Sequence, residues 1–416
     1  MVKKSILYFL VQWMIFSVCA QGLDVLFIGN SYTGVNNLPG LFLSVAQSTG
    51  DQVTVASNTP GGTTFQQHCS NQSATMIQQG GWEYVVLQEQ SQFPAFPISQ
   101  VQSSCFPYAA QLNTMIEQYN PCAETVFYMT WGRKYGDQDN APYFPPIGTY
   151  EGMDSLLYER YMYMTEVNNA IVSPVGRVWR HLRNNHPEIE LYTSDNSHPS
   201  LEGSYAAACA FYTTILRKDP TLITDYCGLT QNVAQIIQNA VKTVVFNQQS
   251  IWYIGERDLK ADFEYTFADG FQNLTENTNS TTSYHWDFGN GNYSSEDTPS
   301  YNYTVSGNYT VELTATDSCG QTSIQTKEIS VVLGIEDFKT HFQIYPNPVM
   351  DLLQIRSQDN ENTFSVTLYD IQGKQMFYEP DGSANQTIQM SPFSNGLYLI
   401  KISSSKGYFY QKIIKN

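Results

Sequence analysis

Asp24-Val25-Leu26-Phe27-Ile28-Gly29-Asn30-Ser31-Tyr32-Thr33 is a short apolar run that ends directly in a glycine, an amide and a hydroxyl. Val25 to Ile28 is apolar at every position, without the alternation of a strand that faces water on one side. Such a run predicts a strand buried on both faces, as in a parallel sheet. Similar runs occur at Gln52–Ser57, Tyr84–Leu87, Thr125–Thr130 and Ile189–Tyr192. Helical periodicity falls between or after them, near Leu38–Ser48, Thr64–Gln79, Tyr108–Tyr119, Ser155–Ile171, Leu201–Leu216 and Gln231–Tyr253. Strand and helix in alternation predict an α/β domain over 21–255, a parallel sheet between two helical layers. Ligands in such sheets bind beyond the carboxyl ends of the strands.

Ser31 stands at that end of the first strand. A serine hydroxyl is a weak nucleophile unless a base takes its proton and a third group orients the base. Ser194-Asp195-Asn196-Ser197-His198-Pro199 comes after the last expected strand. Its spacing allows one loop to present Asp195 and His198 together. Asp195 would then fix the imidazole tautomer, leaving the other ring nitrogen to face Ser31. The chain order Ser, Asp, His suits a hydrolase built on an α/β sheet.

With Gly29-Asn30-Ser31 as a first block and Asp195-x-x-His198 as a last one, residues 22 to about 250 resemble the SGNH (GDSL-like) serine hydrolases. Asn30 stands where many members have Asp. The resemblance implies a three-layer αβα, flavodoxin-like fold and two intermediate blocks that supply oxyanion donors. Pro60-Gly61-Gly62-Thr63 comes after the second strand, so the N–H of Gly61 or Gly62 takes the first of these places. Leu87-Gln88-Glu89-Gln90-Ser91 stands where the family commonly has G-x-N-D. Gln90 falls on the Asn position, and Gln88 is its nearest substitute. The Ser31 N–H completes the expected hole. This chemistry needs no metal and no cofactor.

Other polar and aromatic residues read more plainly. His68 is expected to be structural, His181 and His186 solvated, and Glu89 a strand-end carboxylate. Trp131, Tyr135, Tyr143 and Phe144 lie at or beyond the fourth strand, in or beside the Pro/Gly-rich loop 132–152. They are candidates for stacking on sugar rings, or else for a packed lid.

Lys3 and Lys4 precede an apolar stretch ending at Val18-Cys19-Ala20, so residues 1–20 read as an export signal. No later segment is long and apolar enough to span a bilayer. A net charge of -17 argues against a nucleic-acid partner. Cys69, Cys105, Cys122, Cys209, Cys227 and Cys319 remain after the signal. An oxidising compartment permits disulfides among them, while Cys209, in an apolar helical run, reads equally as a buried free thiol.

The rest of the chain is β-rich and is expected to form two small β-sandwich domains, over 258–333 and 335–416. Trp286-Asp287-Phe288-Gly289-Asn290-Gly291, with Gly307 to Asp317 after it, resembles the PKD domain, Asn290 replacing an Asp. Trp286 and Phe288 fall on one face, and Gly289 and Gly291 suit a hairpin turn. Tyr345-Pro346-Asn347-Pro348, Leu368 to Lys374, Asn395 to Ile402 and Lys412 to Lys415 resemble the C-terminal sorting domain of type IX secretion cargo. That resemblance implies engagement of the secretion machinery of a Gram-negative bacterium, and a secreted or cell-surface protein.

The expected function is a secreted serine esterase that removes acyl groups, foremost acetyl, from a carbohydrate. A lipase or thioesterase on the same machinery is the near alternative. A non-catalytic glycan-binding or adhesion protein is the distant one.

Overall fold

The computed structural model describes residues 22–266, 281–331, 339, 341–357, 364–404 and 407–416. The expected export signal lies outside them. The chain divides into two compact units, Met1–Asp258 and Leu259–Asn416.

The first unit is built on five strands: β1 (Leu23–Ile28), β2 (Val53–Asn58), β3 (Tyr84–Leu87), β4 (Glu124–Tyr128) and β5 (Ile171–Ser173). They form one sheet in the order β2-β1-β3-β4-β5, with every pairing parallel. Val25–Ile28, Val85–Leu87 and Val126–Tyr128 are buried along their whole lengths, as strands covered on both faces must be. Between and after them run α1 (Ser31–Gly34), α2 (Leu38–Gln47), α3 (Phe65–His68), α4 (Gln72–Gln79), α5 (Ile98–Ser104), α6 (Phe106–Tyr119), α7 (Tyr150–Val167), α8 (Val175–Asn185), α9 (Leu201–Leu216) and α10 (Gln231–Val244). Contacts join α2, α8, α9 and α10 in one layer, and α3, α4, α6 and α7 in the other. The unit is thus an αβα sandwich. Its innermost helix is α9, where every residue from Gly203 to Ile215 is buried. Phe211 on α9 packs edge-on to Phe27 of β1, ring centroids 5.2 Å apart.

The chain goes from β1 outward to β2, then returns across β1 to begin β3. The crevice between the ends of β1 and β3 is therefore the switch point of the sheet. Ser31 opens α1 on one side of it, and Gln90 comes after β3 on the other.

The fifth strand differs from the expectation. Ile189–Tyr192 is not a strand of this sheet; only an isolated bridge, Tyr192 to Pro199, forms there. The edge strand is Ile171–Ser173, whose first residue sequence periodicity absorbs into the preceding helix while the other two carry no signal. Its three residues are too short to show a period of their own. Pro174 then ends the strand and precedes α8.

Within the second unit, β6 (Thr281–Asp287), β7 (Tyr293–Ser294), β8 (Gly307–Asp317) and β9 (Thr322–Val331) form an antiparallel sheet in the order β7-β6-β8-β9. Trp286 and Phe288 are buried in its core, and Gly289 and Gly291 adopt positive φ in the hairpin. A second core lies between two further sheets, β10 (Phe342–Tyr345), β11 (Leu352–Ser357) and β14 (Asn385–Gln389) against β12 (Phe364–Asp370), β13 (Gln375–Gly382), β15 (Gly396–Ser404) and β16 (Gly407–Lys415). That is a small β-sandwich. Among the described residues no helix is long and apolar enough to cross a membrane.

Candidate active site

β1 delivers the chain into the crevice, and Asn30 shapes the turn into α1. Its Oδ1 accepts from Tyr32 N at 3.2 Å, capping α1. Its Nδ2 donates to two carbonyl oxygens, Thr63 O at 3.1 Å and Glu89 O at 3.3 Å. One amide thus ties together the loops that leave β1, β2 and β3. A carboxylate has no hydrogen to offer two carbonyls, which gives the Asn at this position a physical reason. Gly29 is required for space rather than for a turn. A Cβ there would lie 2.5 Å from Thr33 Oγ1 and 2.7 Å from Gln88 Oε1.

Asp195 and His198 are presented by the loop between α8 and α9. His198 Nε2 lies 2.8 Å from Ser31 Oγ, across 167 residues of sequence. On the other side of the ring, Nδ1 is 2.5 Å from Asp195 Oδ2. Asp195 Oδ1 accepts the backbone N–H of Ser197 and of His198, each at 2.9 Å, and the Thr193 hydroxyl at 2.8 Å. Partial burial raises the Asp195 pKa, but hydrogen bonds from the His198 side chain, the two N–H groups and Thr193 outweigh it. The carboxyl is held well below the usual range. An ionised Asp195 accepts a hydrogen bond from Nδ1–H and so leaves the Nε2 lone pair for the Ser31 hydroxyl. The group is open to solvent, with 34% of the His198 side chain and 48% of that of Asp195 exposed.

Aromatic residues brace this loop from beneath. Tyr32 stacks on Trp131 at 4.8 Å, and Trp131 stacks on Trp179 at 3.7 Å. Trp131 Nε1 donates to Ser197 O at 3.1 Å, Lys134 N donates to Asn196 O at 2.9 Å, and the Tyr32 hydroxyl meets Ser197 Oγ at 2.6 Å. The Tyr32 ring also lies edge-to-face with the His198 imidazole, centroids 5.3 Å apart. Trp131 is fully buried, so it is not open to a sugar ring, contrary to one of the two roles expected for it. Tyr135 and Tyr143 are the exposed rings beyond β4, at 61% and 88%. Phe144 is half-buried and packs against the core.

The expected oxyanion donors fare unequally. Among the described residues the N–H groups of Ser31, Gly61 and Gly62 have no hydrogen-bond partner, and both glycines are exposed. Gln90 Nε2 donates one hydrogen to Gln92 Oε1 at 2.9 Å, leaving its second free. Gln92 Oε1 is held in turn by Arg133, which is paired with the buried Asp137. Gln88 has to be corrected. It is fully buried, its Oε1 accepts from Asn30 N at 3.0 Å and Thr33 Oγ1 at 2.9 Å, and its Nε2 donates to Glu89 O. Both ends of its amide are committed to the loop behind Ser31.

His68 lies behind the same loop, with Nε2 3.0 Å from Gly29 O and Nδ1 2.8 Å from Ser73 Oγ. Burial lowers its pKa to about 4, so the ring is neutral and donates to Gly29. His186 lies at the protein surface, 3.1 Å from Glu188 Oε1, and His181 is half-buried. Cys69, Cys105, Cys209 and Cys227 are free thiols, Cys209 buried. Among the described residues no cluster of three or more His, Cys, Asp or Glu side chains is arranged to hold a metal ion. Sequence reasoning missed Tyr32 and Ser197 as parts of the site, and read Glu89 only as a strand-end carboxylate. Nothing in their spacing announces contacts made through the fold.

Comparison with known proteins locates the two C-terminal segments. Residues 256–331 match the PKD domain, and residues 343–416 match the secretion system C-terminal sorting domain. The second match marks the chain as type IX secretion cargo, bound for the cell surface or the extracellular space of a Gram-negative bacterium. The pre-pro-metalloprotease PrtV of Vibrio cholerae is 40% identical over 69 residues, 15% of this chain and only 8% of that protein. Among solved structures, a DUF4886 family protein from Bacteroides uniformis is similar over 54% of this chain and 95% of its own, at 15% identity and a TM-score of 0.46. A protein from Slackia heliotrinireducens, named as a candidate SGNH hydrolase, is similar over 47% of this chain and 100% of its own, at 24% identity and a TM-score of 0.39.

Proposed function

We propose that this protein is a secreted serine hydrolase that cleaves acyl esters, foremost acetyl esters, on a carbohydrate. The observation that carries the reading is the line Ser31 Oγ, His198 Nε2, His198 Nδ1, Asp195 Oδ2, with separations of 2.8 and 2.5 Å. In this reading Ser31 Oγ attacks the ester carbonyl while its proton passes to His198 Nε2. The oxyanion is held by Ser31 N–H, the N–H of Gly61 or Gly62, and Gln90 Nε2. Collapse expels the sugar alcohol, which takes the proton from His198. Water, deprotonated by the same nitrogen, then releases the acid from Ser31. Asp195 stays ionised and balances the transient imidazolium.

Three features support a carbohydrate. The pair is open to solvent, which suits a group carried on a larger molecule. Tyr135 and Tyr143 expose rings beyond β4, on the side of the sheet where Ser31 stands. Export puts the protein where extracellular polysaccharides are. Acetate release from acetylated polysaccharides, compared with hydrolysis of 4-nitrophenyl octanoate, tests the assignment. Acetate release with weak octanoate turnover supports deacetylation; rapid octanoate turnover with no acetate release points to a lipase or thioesterase. Glycan binding without turnover of any ester would leave an adhesion protein.

A further inference from the structure

Glu89 is a fully buried carboxyl at the end of β3 that the proposed acyl transfer leaves unused. Its Oε1 accepts two backbone hydrogens, from Gln90 N at 2.6 Å and from Phe65 N at 3.0 Å. Phe65 begins α3, immediately after the loop that carries Gly61 and Gly62. Gln90 begins the other donor loop. Oε2 is equally buried and meets no backbone or amide donor, and the Cys105 thiol interacts with the carboxyl. The titratable groups around the carboxyl are Cys105 at the start of α6, Tyr161 on α7 and Cys69 at the end of α3. No cation is among them. Burying a carboxyl without a cation is costly, and a side chain that served only to fill space would be apolar.

We propose that Glu89 is a positioning residue, whose single oxygen Oε1 clamps the loop after β2 to the loop after β3 and so sets the oxyanion donors of both against Ser31. Asn30 Nδ2 reinforces the clamp by holding Thr63 O and Glu89 O from the β1 side. The inference rests on the serine-hydrolase reading and deepens it. Glu89 does not touch substrate; it acts through Gln90 and through Gly61 or Gly62. Burial raises its pKa to about 7, against the pull of the Gln90 and Phe65 N–H groups. Charge-assisted bonds are the stronger ones, so the clamp tightens as pH rises through that value.

The test uses the full-length chain with Glu89→Gln, Glu89→Leu and Ser31→Ala, measuring kcat and KM on 4-nitrophenyl acetate together with the melting temperature. Gln keeps an acceptor oxygen, so it should hold kcat within about 3-fold of wild type. Leu removes the acceptor and should lower kcat by roughly 30-fold with KM little changed, the mark of a group felt in the transition state. A folded Glu89→Leu protein with kcat within about 2-fold of wild type overturns the proposal. If the Leu variant fails to fold, the Gln variant decides by its pH profile. Wild type should show a steeper acid limb of kcat than Glu89→Gln, and identical profiles overturn the proposal. Equal turnover by wild type and Ser31→Ala is a separate result: it removes the serine reading, and this inference with it.

Discussion

The Tyr32 hydroxyl lies 2.6 Å from Ser197 Oγ, joining the residue after the proposed nucleophile to the residue before the proposed base. The two ends of the reacting pair are thus fastened to each other independently of the pair itself. Tyr32→Phe keeps the stack on Trp131 and removes only this bond. A net hydrogen bond of about 1 kcal/mol felt in the transition state corresponds to roughly a 5-fold loss of kcat. Ser197→Ala should lose a similar amount, and the double variant little more than either single one. Steady-state kinetics on 4-nitrophenyl acetate reads all three. Fully additive losses would mean that the two hydroxyls act separately.

Asn30→Asp exchanges a single heavy atom, Nδ2 for an oxygen, and removes the donor from two hydrogen bonds. A carboxylate oxygen would face Thr63 O and Glu89 O, where Nδ2 now donates. Leaving buried acceptors opposed to one another costs about 1–3 kcal/mol. The transition of the first unit should therefore move to lower temperature in calorimetry, with a fall in esterase activity. An unchanged transition would mean that the loops adjust freely.

His68 should make the first unit sensitive to acid. Its folded pKa, about 4, lies below the ordinary 6.5 because burial disfavours the charged ring. The unfolded chain then binds a proton that the folded one refuses. This contribution is fully present above about pH 6.5 and is lost as pH falls toward 4, up to ~3 kcal/mol. Glu89 has the opposite sign: its pKa is raised to about 7, so its contribution is present below pH 4.5 and is lost as pH rises through 7. Melting curves across this range should show His68→Gln losing less stability between pH 6.5 and 4 than wild type does. Parallel curves for the two proteins would contradict the role assigned to the ring.

Much of the architecture is readable from short apolar runs. Four of the five strands announce themselves because each is a dense β-branched or aromatic run bounded by turn residues. Ile171–Ser173 does not, since three residues at the end of a helical pattern carry no period of their own. The placement of Ser31 at a strand end, and of Asp195 and His198 on one loop, is also legible, because both derive from local order along the chain. What the side chains do across the fold is not. Gln88 and Gln90 look interchangeable in Gln88-Glu89-Gln90, yet one folds back behind Ser31 and the other turns toward Gln92. Trp131 looks like an exposed loop aromatic until Tyr32 and Trp179 close on its two faces.

Covalent labelling of Ser31 tests the central claim most directly. The full-length protein would be treated with a fluorophosphonate while hydrolysis of 4-nitrophenyl acetate is monitored, and the adduct located by peptide mass spectrometry. The account predicts a single adduct on Ser31 that forms at the rate activity disappears, slows sharply in His198→Ala, and is absent from an inactive Ser31→Ala protein. Turnover undiminished in Ser31→Ala, or a wild-type protein that stays active and unlabelled, would contradict it.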